Sequence, residues 1–211
     1  MKKQKFLFTT RFSINATLFQ CKHSNKKVNK YLHLTLMKKL KNIELHCAAR
    51  SGSLACLKYA FRVIKAIDVD NNILSNAARS GSLACLKYAH QIIQATDTRR
   101  LTLPFAARSG SLECLKYAFC IIGATDVFNF TLRCAALSGS LAGLMYAHNI
   151  IKATDVHNLT LCFAATSGSL ECLKYAHEVI KAKDVRNYTL RNAAASGSLE
   201  CIEYCKNHIS L

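Results

Sequence analysis

A unit of 29 residues repeats along most of this chain without an insertion or a deletion. Its most regular segment is an Ala-Ala pair, one variable residue and then Ser-Gly-Ser-Leu. The first serine of this segment occurs six times in one register, at Ser51, Ser80, Ser109, Ser138, Ser167 and Ser196. A unit this short cannot bury its own apolar side chains, so the copies must pack against their neighbours in the chain. The repeat therefore predicts one elongated array of equivalent units.

Each unit is predicted to form two helices, as the fifth unit illustrates. Asn158 is expected to cap a short first helix through its side-chain oxygen. Gly168 stands where that helix must end and the chain must reverse, a position that suits a residue with positive φ. Ser169 is expected to cap the second helix, and Glu171 lies in its first turn, near the positive end of the helix dipole. The proposed cap position holds these residues in the other units: Asn42, Asn71, Arg100, Asn129 and Asn187.

An apolar stripe on the second helix is expected to form the core. In the fifth unit the stripe consists of Leu170, Leu173, Ala176 and Ile180, widened by Tyr175 and Val179. Residues three or four apart share one face of a helix, so this spacing indicates a buried face. A tyrosine occupies the same position in every unit, at Tyr59, Tyr88, Tyr117, Tyr146, Tyr175 and Tyr204. The Ala-Ala pair gives the first helix small side chains, which allow neighbouring helices to approach closely.

The run Thr-Leu-x-x-Ala-Ala-x-Ser-Gly-Ser-Leu-Glu-Cys-Leu-Lys-Tyr resembles the ankyrin repeat family. The resemblance covers residues from about 42 to 211, as six units of which the last is shortened. Two features depart from the family: its Thr-Pro start is missing, and the period is 29 rather than about 33 residues. The lost residues fall where ankyrin proteins project a β-hairpin finger. The resemblance therefore implies an all-α, ankyrin-like solenoid of helical hairpins with reduced or absent fingers.

The cysteines and histidines of the repeat are interpreted as structural residues. Five of the 11 cysteines share one position, at Cys56, Cys85, Cys114, Cys172 and Cys201. Packed helices lie roughly 8–10 Å apart, beyond the ~7 Å Cα separation that a disulfide tolerates, so we expect buried free thiols at this position. Three histidines, His90, His148 and His177, alternate with Phe61 and Phe119 at another position. A position that accepts His or Phe indicates a partly buried aromatic contact, and no zinc-type Cys spacing is present.

No catalytic motif occurs in the sequence, so we expect no enzymatic activity, no cofactor and no metal site. The recurring aspartates of the loops are interpreted as structural: Asp68, Asp97, Asp126, Asp155 and Asp184. So are the glutamates at the start of second helices, at Glu113, Glu171 and Glu200. Abundant thiols favour a reducing, intracellular compartment. No apolar run reaches the roughly 18 residues of a membrane-spanning helix.

The positive charge is concentrated near the N-terminus. The formal net charge is +17, and residues 1–43 contain 11 Lys and Arg residues but no Asp or Glu. The segment from Lys30 to Asn42 resembles a second helix with one residue missing, so we expect residues 26–41 to form a degenerate capping helix. Residues 1–25 are predicted to be a basic, flexible extension, and residues 42–211 the repeat array. Two alternatives stay open for the start: a secretory or organelle-targeting signal, or a true start at Met37.

The positions that vary between units are the candidates for partner binding. The residue before Ser-Gly is arginine in the first three units, at Arg50, Arg79 and Arg108, which we term the arginine ladder. The last three units carry Leu137, Thr166 and Ala195 there. The resemblance to ankyrin proteins implies that this position lies near a concave face. A loop position varies as Asp70, Arg99, Phe128, His157 and Arg186, of which the last four are candidate contacts.

These features favour a non-catalytic, monomeric protein-interaction scaffold that binds a protein partner, acidic in character, through the concave face and the loops. The alternative is a nucleic-acid-binding module in which the basic extension and the arginine ladder contact phosphates. Against this alternative, the repeat offers few exposed aromatic residues for base stacking, because its tyrosines are expected to belong to the core.

Overall fold

The computed structural model describes residues 26–185 and 187–209, and this part of the chain is all-helical, with twelve α-helices and no strand. The helices are α1 Lys26–Arg50, α2 Leu54–Arg62, α3 Ile73–Arg79, α4 Leu83–Gln91, α5 Thr102–Arg108, α6 Leu112–Cys120, α7 Thr131–Leu137, α8 Leu141–Asn149, α9 Thr160–Ser167, α10 Leu170–Lys174, α11 Thr189–Ser196 and α12 Leu199–His208. A π-helical turn, Tyr175–Val179, continues α10. The predicted extension, residues 1–25, and the candidate contact Arg186 lie outside the described residues.

The predicted alternation of first and second helices is confirmed, and so are the residues that separate them. Gly168 follows α9 with a φ of 73°, and the six glycines of the Ser-Gly pairs have φ values from 72° to 76°. The amide of Cys172 donates a hydrogen bond to Ser169 Oγ at 3.2 Å, which caps α10. Glu171 lies in the first turn of α10. Hydrogen bonds from its own amide and from the Ser169 hydroxyl lower the pKa of its carboxyl.

The first helices are capped by aspartate, and the prediction of an asparagine cap is wrong. Asp155 Oδ1 accepts hydrogen bonds from the amides of Leu159 at 3.0 Å and Thr160 at 3.2 Å. Equivalent bonds are made by Asp68, Asp97, Asp126 and Asp184. Asn158 instead adopts a left-handed conformation with a φ of 50°. The carboxylate is the stronger acceptor for two amides at a positive helix end, and asparagine tolerates the left-handed turn that delivers it.

The first unit differs from the others because α1 has no break. It runs from Lys26 to Arg50, so the expected capping segment and the start of the first unit belong to one helix. Residues 26–50 contain neither glycine nor proline, and nothing stops the helix there. Asn42 is consequently buried inside α1 rather than placed at a cap. Its Oδ1 accepts from the Val69 amide at 3.1 Å, and its Nδ2 donates to Asp70 Oδ2 at 2.6 Å.

Contacts between helices join neighbouring units. The first helices contact each other in chain order from α1 through α3, α5, α7 and α9 to α11, and the second helices likewise from α2 to α12. The alanine pairs lie between the first helices and are almost inaccessible in α3, α5, α7 and α9, with exposures of 0–1%. A leucine of each second helix from α2 to α10 completes the core, at Leu57, Leu86, Leu115, Leu144 and Leu173, and Ile202 takes this position in α12. Alanine thus permits close approach while leucine fills the space between helices.

The core prediction is confirmed for most residues and wrong for three. Cys85, Cys114, Cys172 and Cys201 are fully buried, and so is Leu173 of the stripe, whereas Leu170, Tyr175 and Ile180 are partly buried and pack against the core. Cys56 and Tyr59 are exposed on α2, because no second helix precedes α2 among the described residues. Val179 is also exposed. It stands in the last turn of its second helix and faces away from the core, against which the next residue, Ile180, packs.

Candidate partner-binding surface

The arginine ladder occupies the last residue of three helices that pack side by side. Arg50 ends α1, Arg79 ends α3 and Arg108 ends α5. Burial lowers the pKa of the Arg79 guanidinium, and the positive charges of Arg50 and Arg108 lower it further. The charges of the three side chains therefore act on one another. The repeat register brings three cations together at one end of the first helices.

Within the described residues no carboxylate lies at ion-pair distance from the arginine ladder; the one such contact there is made by His46, whose Nε2 lies 3.0 Å from Asp68 Oδ1. The guanidinium of Arg79 lies 5.1 Å from the centre of the Phe105 ring, which holds this half-buried side chain in place. Arg50 and Arg108 are exposed on either side of it. The ladder is thus a row of unpaired positive charge whose central member is fixed by an aromatic neighbour.

The row of positive charge ends at the fourth unit. Leu137 is half-buried at the end of α7, and Ala195 is an exposed, uncharged residue of α11. The hydroxyl of Thr166 donates to the carbonyl of Cys162 at 2.8 Å and is thereby satisfied within its own helix. The row of residues before the Ser-Gly pairs is thus basic in the first three units and neutral in the last three, as the sequence indicates.

The loop residues do not join the arginine ladder. Arg99, Phe128 and His157 precede the first helices, whereas the ladder stands at their opposite ends. A helix of 7 residues such as α5 separates the two groups by about 10 Å. Arg99 Nε donates to the carbonyl of Asp70 at 3.1 Å, so part of its donor capacity is used. The predicted contacts therefore form two separate surfaces rather than one.

Phe128 and His157 belong to an aromatic cluster centred on Phe130. The ring centres of Phe128 and His157 lie 5.6 Å and 5.9 Å from that of Phe130. The guanidinium of Arg133 lies 3.7 Å from the same ring centre. Phe130 and Arg133 were not predicted as site residues. The comparison of the repeat units places Phe130 at the start of the first helix, a position where the residue differs between units. Phe128, two residues before Phe130, and His157 in the next unit were the available signal.

The histidines of the repeat link neighbouring second helices. His90 Nδ1 lies 3.1 Å from the hydroxyl oxygen of Tyr117, and His177 Nδ1 lies 3.0 Å from that of Tyr204. Their rings meet edge to face. Phe61 meets Tyr88 in the same way, with ring centres 6.3 Å apart. The interpretation of this position as a partly buried aromatic contact is confirmed.

The described residues show no cluster of His, Cys, Asp or Glu that could hold a metal ion. An open depression of about 490 Å³ lies between two inter-unit loops and is lined by His90, Asp97 and Arg100, among others. The carboxylate of Asp97 accepts from the amides of Leu101 and Thr102, so it serves as a helix cap. The one carboxylate that lines the depression therefore has a structural task.

Comparison with known proteins gives no match to any family model and no significant sequence similarity to a curated protein. Over the part of the chain that the structure describes, no helix has both the length and the hydropathy needed to cross a membrane.

Proposed function

We propose that this chain is a non-catalytic protein-interaction scaffold whose arginine ladder binds an acidic segment of a protein partner. The observation that carries the proposal is the row formed by Arg50, Arg79 and Arg108, which end three neighbouring helices and have no carboxylate partner among the described residues. Keeping like charges together is unfavourable for folding, so their arrangement is explained by an anionic ligand. Arginine suits this role because its planar guanidinium binds carboxylates through two parallel hydrogen bonds.

The fold that we propose for this scaffold is an ankyrin-like solenoid of helical hairpins. The exact 29-residue period and the contacts between successive units support it. The first helices meet through alanine pairs, whereas the second helices meet through tyrosine, histidine and lysine side chains. In an ankyrin-like array the more closely packed row of helices forms the concave side, so we expect the arginine ladder on that side.

The use of the polar residues supports the proposed non-catalytic role. The loop aspartates cap helices, and the hydrogen-bonded histidines pair with tyrosine or with Asp68. The described cysteines are free thiols, which supports an intracellular location. The partner's acidic segment is accordingly the ligand rather than a substrate.

The test uses a short fluorescein-labelled peptide rich in Glu and Asp, titrated with the full chain in a fluorescence anisotropy assay. The triple variant Arg50→Glu, Arg79→Glu and Arg108→Glu is expected to bind at least about tenfold more weakly than the wild type, because three favourable contacts become repulsive. A control with Lys183→Glu, Arg191→Glu and Lys206→Glu makes the same change of net charge at exposed positions outside the ladder. Its affinity is expected to change by less than about threefold.

Equal losses in the two triple variants would show that total charge, not the ladder, drives binding. A single-stranded oligonucleotide is titrated in parallel. Preferential binding of the oligonucleotide, with an affinity that falls steeply as salt concentration rises, would replace the acidic protein partner by nucleic acid.

A further inference from the structure

A row of exposed aliphatic residues stands at the ends of the second helices. It consists of Val63, Ile92, Ile121, Ile150 and Val179, which we term the aliphatic column. Each is separated from the next by 29 residues, and each is 50–62% exposed. These residues belong to a different row of helices from the arginine ladder.

Core packing does not explain the aliphatic column. The next residue in each unit is isoleucine, at Ile64, Ile93, Ile122, Ile151 and Ile180, and these isoleucines are the ones that pack against the core. Ile121, by contrast, is 59% exposed, so its apolar surface contributes little to folding. Every unit with a complete second helix among residues 54–179 nevertheless has Val or Ile there. Exposed apolar residues aligned in this way are characteristic of an interaction surface.

Lysines accompany the centre of the aliphatic column. Lys87 Nζ lies 5.8 Å from the centre of the Tyr117 ring in the next unit, and Ile121 follows Tyr117 by one helical turn. Lys58 holds the same position relative to Tyr88 and Ile92, at 5.9 Å. Lys116 does so relative to Tyr146 and Ile150, at 5.8 Å. Three aliphatic residues of the column are therefore each accompanied by an ammonium group from the preceding unit.

Acidic groups are scarce beside these three residues. Helices α2, α4 and α8 contain no Asp or Glu, and Glu113 of α6 lies in the first turn, at the far end from Ile121. The carboxylates of Asp97 and Asp126 in the neighbouring loops accept backbone hydrogen bonds at helix starts. The surface around Ile92, Ile121 and Ile150 is thus aliphatic and basic, and it is complementary to a ligand that is apolar and acidic. The end of the column differs, because the carboxylate of Glu178, which accepts a hydrogen bond from the Tyr204 hydroxyl, stands beside Val179.

We propose that the aliphatic column binds an acidic amphipathic helix of a protein partner, lying along the row of second helices. Packed helices are spaced roughly 8–10 Å apart, so this is the expected distance between successive members of the column. An α-helix advances about 10.5 Å in seven residues. A partner helix with one apolar residue in every seven therefore meets one member of the column per unit, and Glu or Asp beside each apolar residue faces the lysines.

The test uses a synthetic helical peptide with leucine at every seventh position and glutamate beside it. Binding to the full chain is measured by fluorescence anisotropy. The variant Ile92→Asp, Ile121→Asp and Ile150→Asp is expected to bind at least about tenfold more weakly, because three apolar contacts are replaced by charges that repel the peptide. Lys87→Glu with Lys116→Glu is expected to weaken binding about fivefold or more, with the largest effect at low salt.

Two control variants locate the binding. Leu199→Asp changes an aliphatic residue that is 74% exposed but lies outside the column, and it is expected to leave the affinity unchanged. The triple glutamate variant of the arginine ladder is expected to retain binding of this peptide, which separates the column from the proposed function of the ladder. Circular dichroism checks that each variant keeps the helical content of the wild type.

A second peptide of identical composition, with its leucines at every fifth position, tests whether the spacing of the leucines matters. Equal affinity for the two peptides, or no binding of the first peptide by the wild type, would overturn the proposal. So would binding of phosphatidylserine vesicles that the three aspartate substitutions abolish while peptide binding is unaffected, since the column would then bind a lipid surface.

Discussion

At the scale of single residues, the turn before each first helix depends on two side chains with different tasks. The aspartate supplies the acceptor for two amides, and the residue three positions later takes a left-handed conformation that brings the chain into the helix. Asn158 fills the second task with a φ of 50°. Arg100 has the same conformation, with a φ of 53°, although arginine lacks the local stabilisation that asparagine has there.

Arg100→Asn is therefore expected to raise the free energy of unfolding by about 1 kcal/mol, because it relieves the strain of a left-handed arginine. The reverse change, Asn158→Arg, is expected to lower it by a similar amount. Urea unfolding followed by circular dichroism measures both. The same stability in both variants as in the wild type would contradict the role assigned to this turn.

Asp68 gives the helix cap a dependence on pH. Burial alone would raise the pKa of its carboxyl, but hydrogen bonds from His46 and from the amides of Asn72 and Ile73 lower the pKa below its ordinary value of 3.8. A carboxyl whose pKa is lower in the folded state than in the unfolded state stabilises the fold at pH values above the unfolded pKa. That contribution is lost as the pH falls from 3.8 through the folded pKa.

Asp68→Asn is expected to lower the free energy of unfolding by about 1 kcal/mol at pH 7, because the neutral amide is a poorer cap. The difference from the wild type is expected to shrink as the pH is lowered below about 4. Urea unfolding at a series of pH values measures it, with Glu203→Gln as a control at an exposed carboxyl. A difference that is independent of pH would show that the charge of Asp68 has no part in the cap.

At the scale of helices, the local signals were predictable and the longer-range ones were not. Ser169 contacts an amide three residues away, and Gly168 acts through its own backbone, so both roles follow from short sequence patterns. Asp155 accepts hydrogen bonds from the amides of residues four and five positions later. The sequence pattern of a cap directly before the helix does not include this longer spacing. The continuity of α1 was not predicted, because the repeat pattern indicated a helix start at Asn42. The lack of glycine and proline in residues 26–50 did indicate a continuous helix.

The candidate surfaces show the same division. The alignment of Arg50, Arg79 and Arg108 followed from the period alone. Whether a carboxylate pairs with them depends on which side chains face them from other helices, and no sequence pattern gives this; among the described residues none does. The aliphatic column was missed because Val179 fits the spacing of a buried stripe. The packing of the helix end, which buries Ile180 against the core and leaves Val179 in solvent, was not given by that spacing.

At the scale of the whole molecule, the position of the charges is more informative than their sum. The formal net charge of +17 would suit many anionic ligands. Residues 1–43 account for +11 of it, and the remaining 168 residues carry +6. Within the described residues the arginine ladder and the lysines of the aliphatic column lie on different rows of helices. We therefore expect two binding surfaces with different chemistry on one array of units.

The most direct test of the central claim compares two variants that each add one arginine. Leu137→Arg continues the ladder beyond Arg108, whereas Ala195→Arg adds the same charge at an exposed position two units further on. Fluorescence anisotropy with the acidic peptide is expected to show about two- to fivefold tighter binding for Leu137→Arg, since an added ionic contact contributes about 0.5–1 kcal/mol. Ala195→Arg is expected to bind like the wild type. Equal gains in both variants, or a gain in neither, would contradict a continuous arginine ladder as the binding site.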